Sequence, residues 1–209
     1  MILGVMNRLK LPLILGSASP RRLDLLRAAG FNPSVQVPDI DESVLTSESP
    51  EAYVERLAIS KAHSIEEESI EEESIEEESI EEESVWIVAG DTIVVLDGQI
   101  LGKPASSDEA IHVLRQLSGR EHRIVGGWCV RGSGEYYSGV EECRVWFREL
   151  SEAEILEYVN TGEPMDKAGS YAIQGGAGRF VTRFEGYWSN AVGLALIPVV
   201  SHLEKFARR

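Results

Sequence analysis

Residues 16–22 are the first whose types and spacing could do chemistry, because they read Gly-Ser-Ala-Ser-Pro-Arg-Arg after a short apolar run. Ser19 suits the N-cap of a helix and Pro20 its first position, where the missing N–H is not needed. Unpaired amides at a helix N-terminus attract anions, and Arg21 and Arg22 offer planar donors for phosphate. The segment, including Ser17, is typical of a phosphate-binding turn. An ordinary capped helix with solvated arginines would have the same sequence.

Asp91 is the second candidate, since it lies within Val-Ala-Gly-Asp-Thr-Ile-Val-Val at residues 88–95. Burying a carboxylate among apolar side chains is unfavourable unless something pairs with it. A metal ion or an activated water would be such a partner. The alternative is an Asp beside Gly90 that faces solvent at a strand edge or bulge. The apolar residues on both sides and the hydroxyl of Thr92 favour the functional interpretation.

Lys103, Glu42 and Lys61 are each, taken alone, best explained as solvated surface charges. Together they are more informative. Lys103 follows a predicted hairpin that would return it to the neighbourhood of Asp91. A site that hydrolyses phosphate bonds needs carboxylates to hold a divalent ion and cations to stabilise the phosphoryl oxygens. This chain offers both, and Mg²⁺ or Mn²⁺ suits such oxygen ligands best.

Gln174 lies in a glycine-dense stretch, residues 169–178, that follows Asp166 and Lys167. Glycine lets backbone approach a ligand closely, and the Gln side chain provides one acceptor and one donor for the edge of a base. A flexible turn would explain the same composition.

The elements that must position these residues alternate between strand and helix patterns, with hairpins among them. Strands are expected over 11–16, 33–37, 85–96 with an interruption at 90–92, 99–101, 120–130, 136–147, 180–184 and 191–196. Helices are expected over 20–29, 50–63, 107–117 and 151–159 and at the C-terminus. Asp97-Gly98 is a strong two-residue hairpin signal, and Ser151 with Glu154 forms a capping box. The pattern indicates a single α/β domain, residues 1–209, with a mixed sheet.

Residues 65–84 stand apart as four tandem copies of Ile-Glu-Glu-Glu-Ser. A period of five matches neither helix nor strand, so we expect an insertion that is either a solvated helix or disordered. Removing its twelve Glu from the formal charge of −15 leaves −3. The remainder can therefore concentrate cations in one pocket, while the overall acidity weighs against nucleic-acid binding.

The sequence indicates a cytoplasmic protein, because it shows neither a membrane-spanning run nor a secretory signal. Cys129 and Cys143 have no partners at metal-site spacing, so we expect two buried, reduced thiols.

Taken together, the motifs resemble the Maf family of nucleotide pyrophosphatases. The resemblance is carried by Ser-Ala-Ser-Pro-Arg-Arg at 17–22, Gly-Asp-Thr at 90–92, Gly-Lys-Pro at 102–104, and Asp-Lys-Ala-Gly with Ile-Gln-Gly from 166 to 175. Their order and approximate spacing match. The resemblance implies an elongated fold like that of Maf and inosine triphosphate pyrophosphatases, with a central cleft between two lobes, and usually a homodimer.

The resemblance also implies roles for individual residues. Asp91 would activate water, and Glu42 with Asp91 would hold the metal. Phosphate contacts would come from Ser17, Arg21, Arg22, Lys61 and Lys103. Substrate choice is associated with Arg21, Thr92 and Gln174, and the form Ala-Gly-Ser-Tyr-Ala-Ile-Gln resembles the branch that acts on dTTP and UTP, modified pyrimidine nucleotides included.

Three alternatives stay open at this point. A nucleotide-binding regulator of septum formation would need the same phosphate site but no catalytic base at Asp91. A 7-methyl-GTP pyrophosphatase would differ in sequence near Gln174, and a housecleaning enzyme for deaminated purines would differ in base choice.

Overall fold

A computed structural model of the chain describes residues 12–73, 85–132 and 134–206. Its α-helices, numbered α1 to α6, are Pro20–Ala28, Pro50–Glu73, Ser107–Leu117, Glu152–Asn160, Trp188–Val192 and Leu196–Phe206. Its strands, numbered β1 to β7, are Leu13–Gly16, Ser34–Gln36, Trp86–Leu96, Gln99–Leu101, Glu121–Gly132, Glu135–Phe147 and Val181–Glu185. Three short 3-10 helices lie between α4 and β7, at Glu163–Asp166, Ala168–Ser170 and Gly176–Phe180.

The seven strands form one mixed sheet in the order β2-β1-β3-β5-β6-β7, and β4 pairs with β3. β1 is parallel to both β2 and β3. The β3–β5, β5–β6 and β6–β7 pairs are antiparallel. The α/β class with a mixed sheet is thus confirmed. No helix within the described ranges has the length and apolar character needed to cross a membrane.

The β3–β4 hairpin is confirmed at Asp97-Gly98. Both residues have positive φ angles, 51° and 79°, and Leu96 pairs with Gln99. Positive φ at both central positions is the geometry of a type I′ turn, whose twist matches that of the flanking strands. The predicted interruption of β3 at residues 90–92 is wrong, because the strand runs unbroken from Trp86 to Leu96.

Helix α2 packs closely on the sheet because β5 has a glycine at the contact. A Cβ added at Gly127 would lie 2.1 Å from the carbonyl oxygen of Val54. Since a side chain there would separate the two elements, Gly127 sets how near α2 comes to β3 and β5. The helix begins at Pro50, as predicted, but continues ten residues beyond the predicted end at His63, to Glu73.

The acidic repeat therefore begins inside α2, and its first residue, Ile65, is fully buried against Ala62, Ile87 and Cys129. Residues 74–84 of the repeat lie outside the described residues. Cys129 and Cys143 are free and buried, as expected.

The predicted strand at 191–196 is wrong. This segment holds the end of α5, a turn and the start of α6. Gly193 has a φ of 141°, which the pleated backbone of a strand does not adopt. The apolar residues there are buried by packing of the turn: Leu194 and Ala195 join Leu15, Trp128 and Val199 in one core cluster.

Candidate active site

All nine residues selected from the sequence line one pocket of about 480 Å³, although they come from six separate parts of the chain. They are Ser17, Arg21, Arg22, Glu42, Lys61, Asp91, Thr92, Lys103 and Gln174.

The pocket lies where the sheet has a gap. β1 pairs with β3 only as far as Ala89, and β4 begins its pairing at Val94. Residues 90–93 of β3 therefore have no strand neighbour on that side within the described sheet. Successive side chains of a strand point to opposite faces, so Asp91 and Thr92 reach the gap from different sides.

On the first face, the Asp91 carboxylate is paired with Lys61 of α2. Lys61 Nζ lies 2.7 Å from Asp91 Oδ1 and 2.7 Å from Glu42 Oε1. The Lys61 and Asp91 side chains are only 8% and 14% exposed, whereas that of Glu42 is 55% exposed. The ammonium is the partner that the Asp91 carboxylate needs in an apolar strand. The sequence analysis considered a metal ion or an activated water in that role.

The same pair of carboxylates fits a hard divalent ion. Glu42 and Asp91 converge on one nitrogen and so lie on the same side of the pocket. Mg²⁺ is typically held by one or two carboxylates and takes its other oxygens from water and substrate phosphates. No cluster of three or more His, Cys, Asp and Glu that could hold a metal occurs among the described residues. The donor set therefore fits an ion that binds together with a phosphate substrate.

Tyr53, which the sequence analysis missed, also lines this face. Its hydroxyl donates to the carbonyl oxygen of Glu42 at 2.8 Å. Burial, with the charges of Asp91 and Glu42, raises the pKa of Tyr53, so the hydroxyl keeps its proton. Its signal in the sequence was the helical spacing that places it two turns before Lys61 on the same side of α2.

On the second face, Arg22 is held by three acceptors. Its Nη1 donates to Ser17 Oγ at 2.8 Å, its Nε to the Gly193 carbonyl at 2.7 Å and its Nη2 to Thr92 Oγ1 at 3.4 Å. Arginine has five N–H donors, so two remain for a ligand. Burial lowers the pKa of Arg22, and the Asp91 charge opposes this.

The turn before α1 forms as the sequence predicts, with one difference. Ser19 occupies the N-cap position, but its side chain makes no capping hydrogen bond. Ser17 Oγ instead accepts from the Ser19 backbone N–H at 3.2 Å. Ser17 is 6% exposed and links the turn to the Arg22 guanidinium.

Asp166 and Lys167, noted in the sequence without an assigned role, line the same pocket. The Lys167 ammonium is paired with Asp166, whose second carboxylate oxygen lies 3.9 Å from Arg21 Nη1. The side chain of Lys167 lowers the pKa of Asp166 through a hydrogen bond. Gly169 N–H donates to the Gly102 carbonyl at 3.0 Å, which ties this segment to the chain just before Lys103.

Gln174 stands at the tip of a turn whose preceding residues face the core. Tyr171, Ala172 and Ile173 are buried, while Gln174 is exposed and lines the pocket. Apolar side chains of β3 and α5 line the pocket as well, among them Ile93, Val94 and Val192. The arrangement can bind a ligand with a polyanionic end at the cations and a less polar end near Gln174.

The sequence is similar to that of known proteins over most of its length. The sequence pattern of the family described as Maf-like protein matches residues 12–206. A protein of Geotalea uraniireducens (strain Rf4) named dTTP/UTP pyrophosphatase is 41% identical over 202 residues, which is 96% of this chain and 97% of the relative. Proteins with the same name from Acinetobacter baylyi and Vibrio cholerae are each 42% identical, over 91% and 93% of this chain and 97% of each relative.

Proposed function

The chain belongs to the Maf family, and from that premise we propose that it is a nucleoside triphosphate pyrophosphatase that hydrolyses dTTP and UTP to the monophosphate and pyrophosphate. Relatives about 41–42% identical over nearly the whole chain are named dTTP/UTP pyrophosphatase. The observation that carries the proposal for this chain's own residues is the Asp91 carboxylate, only 14% exposed and paired with Lys61, in a pocket that also gathers Ser17, Arg21 and Arg22.

We assign the role of general base to Asp91. Its carboxylate would take a proton from water as the water oxygen attacks the α-phosphorus. The bond between the α-phosphorus and the bridging oxygen breaks, and pyrophosphate leaves. Lys61 lies 2.7 Å from the Asp91 carboxylate, and because both side chains are mostly removed from solvent, solvent screens their interaction little.

Ser17, Arg21, Arg22, Lys61 and Lys103 are assigned to the phosphates. Charge on the phosphoryl oxygens is stabilised best by donors that are already in position when the reaction begins. Arg22 meets this condition because Ser17, Thr92 and Gly193 hold its guanidinium. Arg21 meets it less fully, since its link to Asp166 spans 3.9 Å and the two side chains are 31% and 71% exposed.

A divalent cation, Mg²⁺ or Mn²⁺, is part of the proposal, and Glu42 and Asp91 would hold it. Such an ion, when bound, neutralises phosphate oxygens and orients the triphosphate. Glu42 is suited to bind a metal ion that exchanges with solvent, because its side chain is half exposed while Tyr53 fixes its backbone.

Substrate choice is assigned to Arg21, Thr92 and Gln174. Gln174 can offer its carbonyl to the N3–H of uracil or thymine and its amide N–H to a ring carbonyl. Modified pyrimidine nucleotides are included in the proposed substrates. We further propose a cytoplasmic homodimer that binds neither nucleic acid nor membrane, as the resemblance and the composition indicate.

The test is pyrophosphate release from dTTP, UTP, CTP, 7-methyl-GTP and ITP with Mg²⁺ or Mn²⁺, beside Asp91→Asn. Asn keeps the size of Asp91 but cannot accept the proton from water. Turnover of dTTP and UTP that Asp91→Asn abolishes supports the proposal. Preference for 7-methyl-GTP or ITP would replace dTTP and UTP as the assigned substrates. Binding without turnover by the folded chain would favour a nucleotide-binding regulator.

A further inference from the structure

Gln174 belongs to a turn that is fixed from both sides by groups outside the pocket wall. Gly175 N–H donates to the Ala172 carbonyl at 3.0 Å, which closes the turn. Before Gln174, the Ala172 N–H donates to the hydroxyl of Tyr158 at 3.0 Å. After Gln174, the Gly176 N–H donates to Glu163 Oε2 at 2.9 Å. The backbone is therefore anchored two residues before and two residues after the side chain that faces the ligand.

The anchors are themselves well held. Tyr158, on α4, is 1% exposed and contacts Phe180 edge to face with ring centroids 5.4 Å apart. Glu163 begins the 3-10 helix that follows α4, and its backbone N–H donates to Thr161 Oγ1 at 3.2 Å. The end of α4 and the 3-10 helix that follows it thus supply one contact each.

Gly175 indicates how closely the turn and Glu163 are fitted. A Cβ added at Gly175 would lie 2.0 Å from Glu163 Oε1. The carboxylate therefore occupies the space that any other residue at 175 would fill.

A glutamine amide distinguishes bases only if its position is fixed. Rotation about its terminal bond exchanges donor and acceptor, so a freely placed Gln pairs with uracil or cytosine alike. Selection depends on where the amide stands relative to the base, and loss of one hydrogen-bonded position weakens discrimination between bases. The anchors at Ala172 and Gly176 fix the backbone from which the Gln174 side chain extends. They limit the directions from which its amide can approach the base, but they do not themselves stop rotation about the terminal bond.

We propose that Glu163 and Tyr158 are positioning residues for base selection, acting through the turn that presents Gln174. The proposal rests on the proposed pyrophosphatase activity and adds to it two residues that do not line the pocket.

The test compares Glu163→Ala, Glu163→Gln and Tyr158→Phe with Gln174→Ala, by steady-state hydrolysis of UTP and CTP. Glu163→Ala and Tyr158→Phe should raise KM for UTP about tenfold and lower the UTP-to-CTP ratio of kcat/KM, with kcat changed less than about twofold. Glu163→Gln keeps an oxygen that can accept from Gly176, so it should retain the wild-type ratio. Glu157→Ala, which removes an exposed α4 carboxylate paired with Arg179, is the matched control and should change nothing.

The double variant Glu163→Ala/Gln174→Ala tests whether the two residues act as one unit. If Glu163 works through Gln174, its removal has no further effect on the UTP-to-CTP ratio once the amide is gone. Additive losses, or an equal fall in kcat for both nucleotides, would overturn the proposal, as would an unchanged ratio in Gln174→Ala. Failure of the pyrophosphatase assignment is distinguishable, because the wild-type chain would then release no pyrophosphate from any nucleotide.

Discussion

The Nε of Arg22 donates to the carbonyl oxygen of Gly193 at 2.7 Å, so the first helix is tied to the turn between the last two helices. Thr92 Oγ1 donates to the same carbonyl at 3.1 Å. One backbone oxygen thus fixes both a proposed phosphate ligand and a proposed specificity residue. Neither guanidinium nor hydroxyl is free to swing away from the pocket without losing this acceptor.

Arg22→Lys should reduce kcat/KM for dTTP even though the charge is kept. A lysine ammonium cannot span Ser17, Thr92 and Gly193 as the guanidinium does. We expect a loss of roughly 100-fold, equivalent to about 3 kcal/mol of transition-state stabilisation. Arg27→Lys, at an exposed position in the last turn of α1, is the control and should behave as wild type. Equal activity of Arg22→Lys and wild type would show that only the charge matters.

Lys61→Met should destabilise the fold more than Asp91→Asn. Removing the ammonium leaves the Asp91 carboxylate, 14% exposed, without its cation, whereas Asp91→Asn leaves Lys61 paired with Glu42. Leaving one charge of a buried pair unpaired typically costs about 3–5 kcal/mol. Urea unfolding measures the difference. Both variants should lack pyrophosphatase activity, so the order of their unfolding free energies is the discriminating result. The reverse order would mean that Asp91 does not depend on Lys61.

Much of the fold could be predicted because the signals are local. Helix 107–117 and the hairpin at Asp97-Gly98 were each predicted with their observed bounds, from apolar periodicity and turn chemistry. The Ser151–Glu154 capping box was predicted too, and both of its hydrogen bonds are present. The miss at 191–196 has a physical reason. A short apolar run without polar alternation looks the same in the sequence whether it forms a strand or a turn, and α5 spans only five residues.

In the candidate site, too, some groups could be predicted from the sequence and others could not. Charged, hydroxyl and amide side chains could be selected by residue type, and all nine lie in one pocket. The Gly193 carbonyl could not be selected from the sequence, because every residue has a backbone oxygen and only the fold brings this one to Arg22. Glu163 and Tyr158 lie behind the pocket wall, so their link to Gln174 became visible only from the geometry of the turn.

Gly127→Ala should weaken the fold and displace the helix that carries Lys61. The added methyl would meet the Val54 carbonyl at 2.1 Å, and this oxygen belongs to the α2 backbone, which cannot rotate away as a side chain could. Overpacking of this kind usually costs about 1–3 kcal/mol, and here we expect the upper end. Gly102→Ala meets nothing within 4 Å and has no positive φ, so its unfolding free energy should match that of wild type. A fully stable Gly127→Ala would contradict the close approach of α2 and β5.

His122 should make the protein less stable in acid. It is 2% exposed, its Nε2 lies 2.7 Å from the Tyr171 hydroxyl, and burial lowers its pKa to about 4. The unfolded chain, with an ordinary histidine pKa near 6.5, binds one more proton than the folded chain between these values. Stability is therefore complete above about pH 6.5 and falls by up to about 3 kcal/mol as the pH drops to about 4.

His122→Gln removes this titration, so its unfolding free energy should fall less steeply than that of wild type from pH 7 to pH 4. The comparison uses slopes, because the substitution itself changes stability at pH 7. His112→Gln, on the exposed side of α3, should keep the wild-type slope. Identical slopes for His122→Gln and wild type would mean that the imidazole is not desolvated as its burial indicates.

Arg56→Met should raise the metal concentration needed for activity, because Arg56 holds the loop that carries Glu42. Its Nε and Nη2 donate to the two oxygens of Glu48 at 2.6 and 2.8 Å, and Nη2 also donates to the Ser43 carbonyl at 2.9 Å. The Arg56 hydrogen bond lowers the pKa of Glu48 to about 2, so the ion pair persists throughout the working range of pH.

Residues 41–47 are all exposed, so the loop gains little from packing on the core. Tyr53 holds the carbonyl of Glu42, and losing the second support, the Arg56 clamp, should leave the Glu42 side chain less well placed. We expect half-maximal activation to require about tenfold more Mg²⁺ or Mn²⁺, in line with the usual effect of removing a group that orients a metal ligand. Arg115→Met is the matched control, because Arg115 grips Glu152 with the same two-bond geometry, at 2.8 and 2.7 Å, between α3 and α4. If both variants shift metal activation equally, the effect comes from lost surface charge. If Arg56→Met alone shifts it, the clamp on the Glu42 loop is the cause.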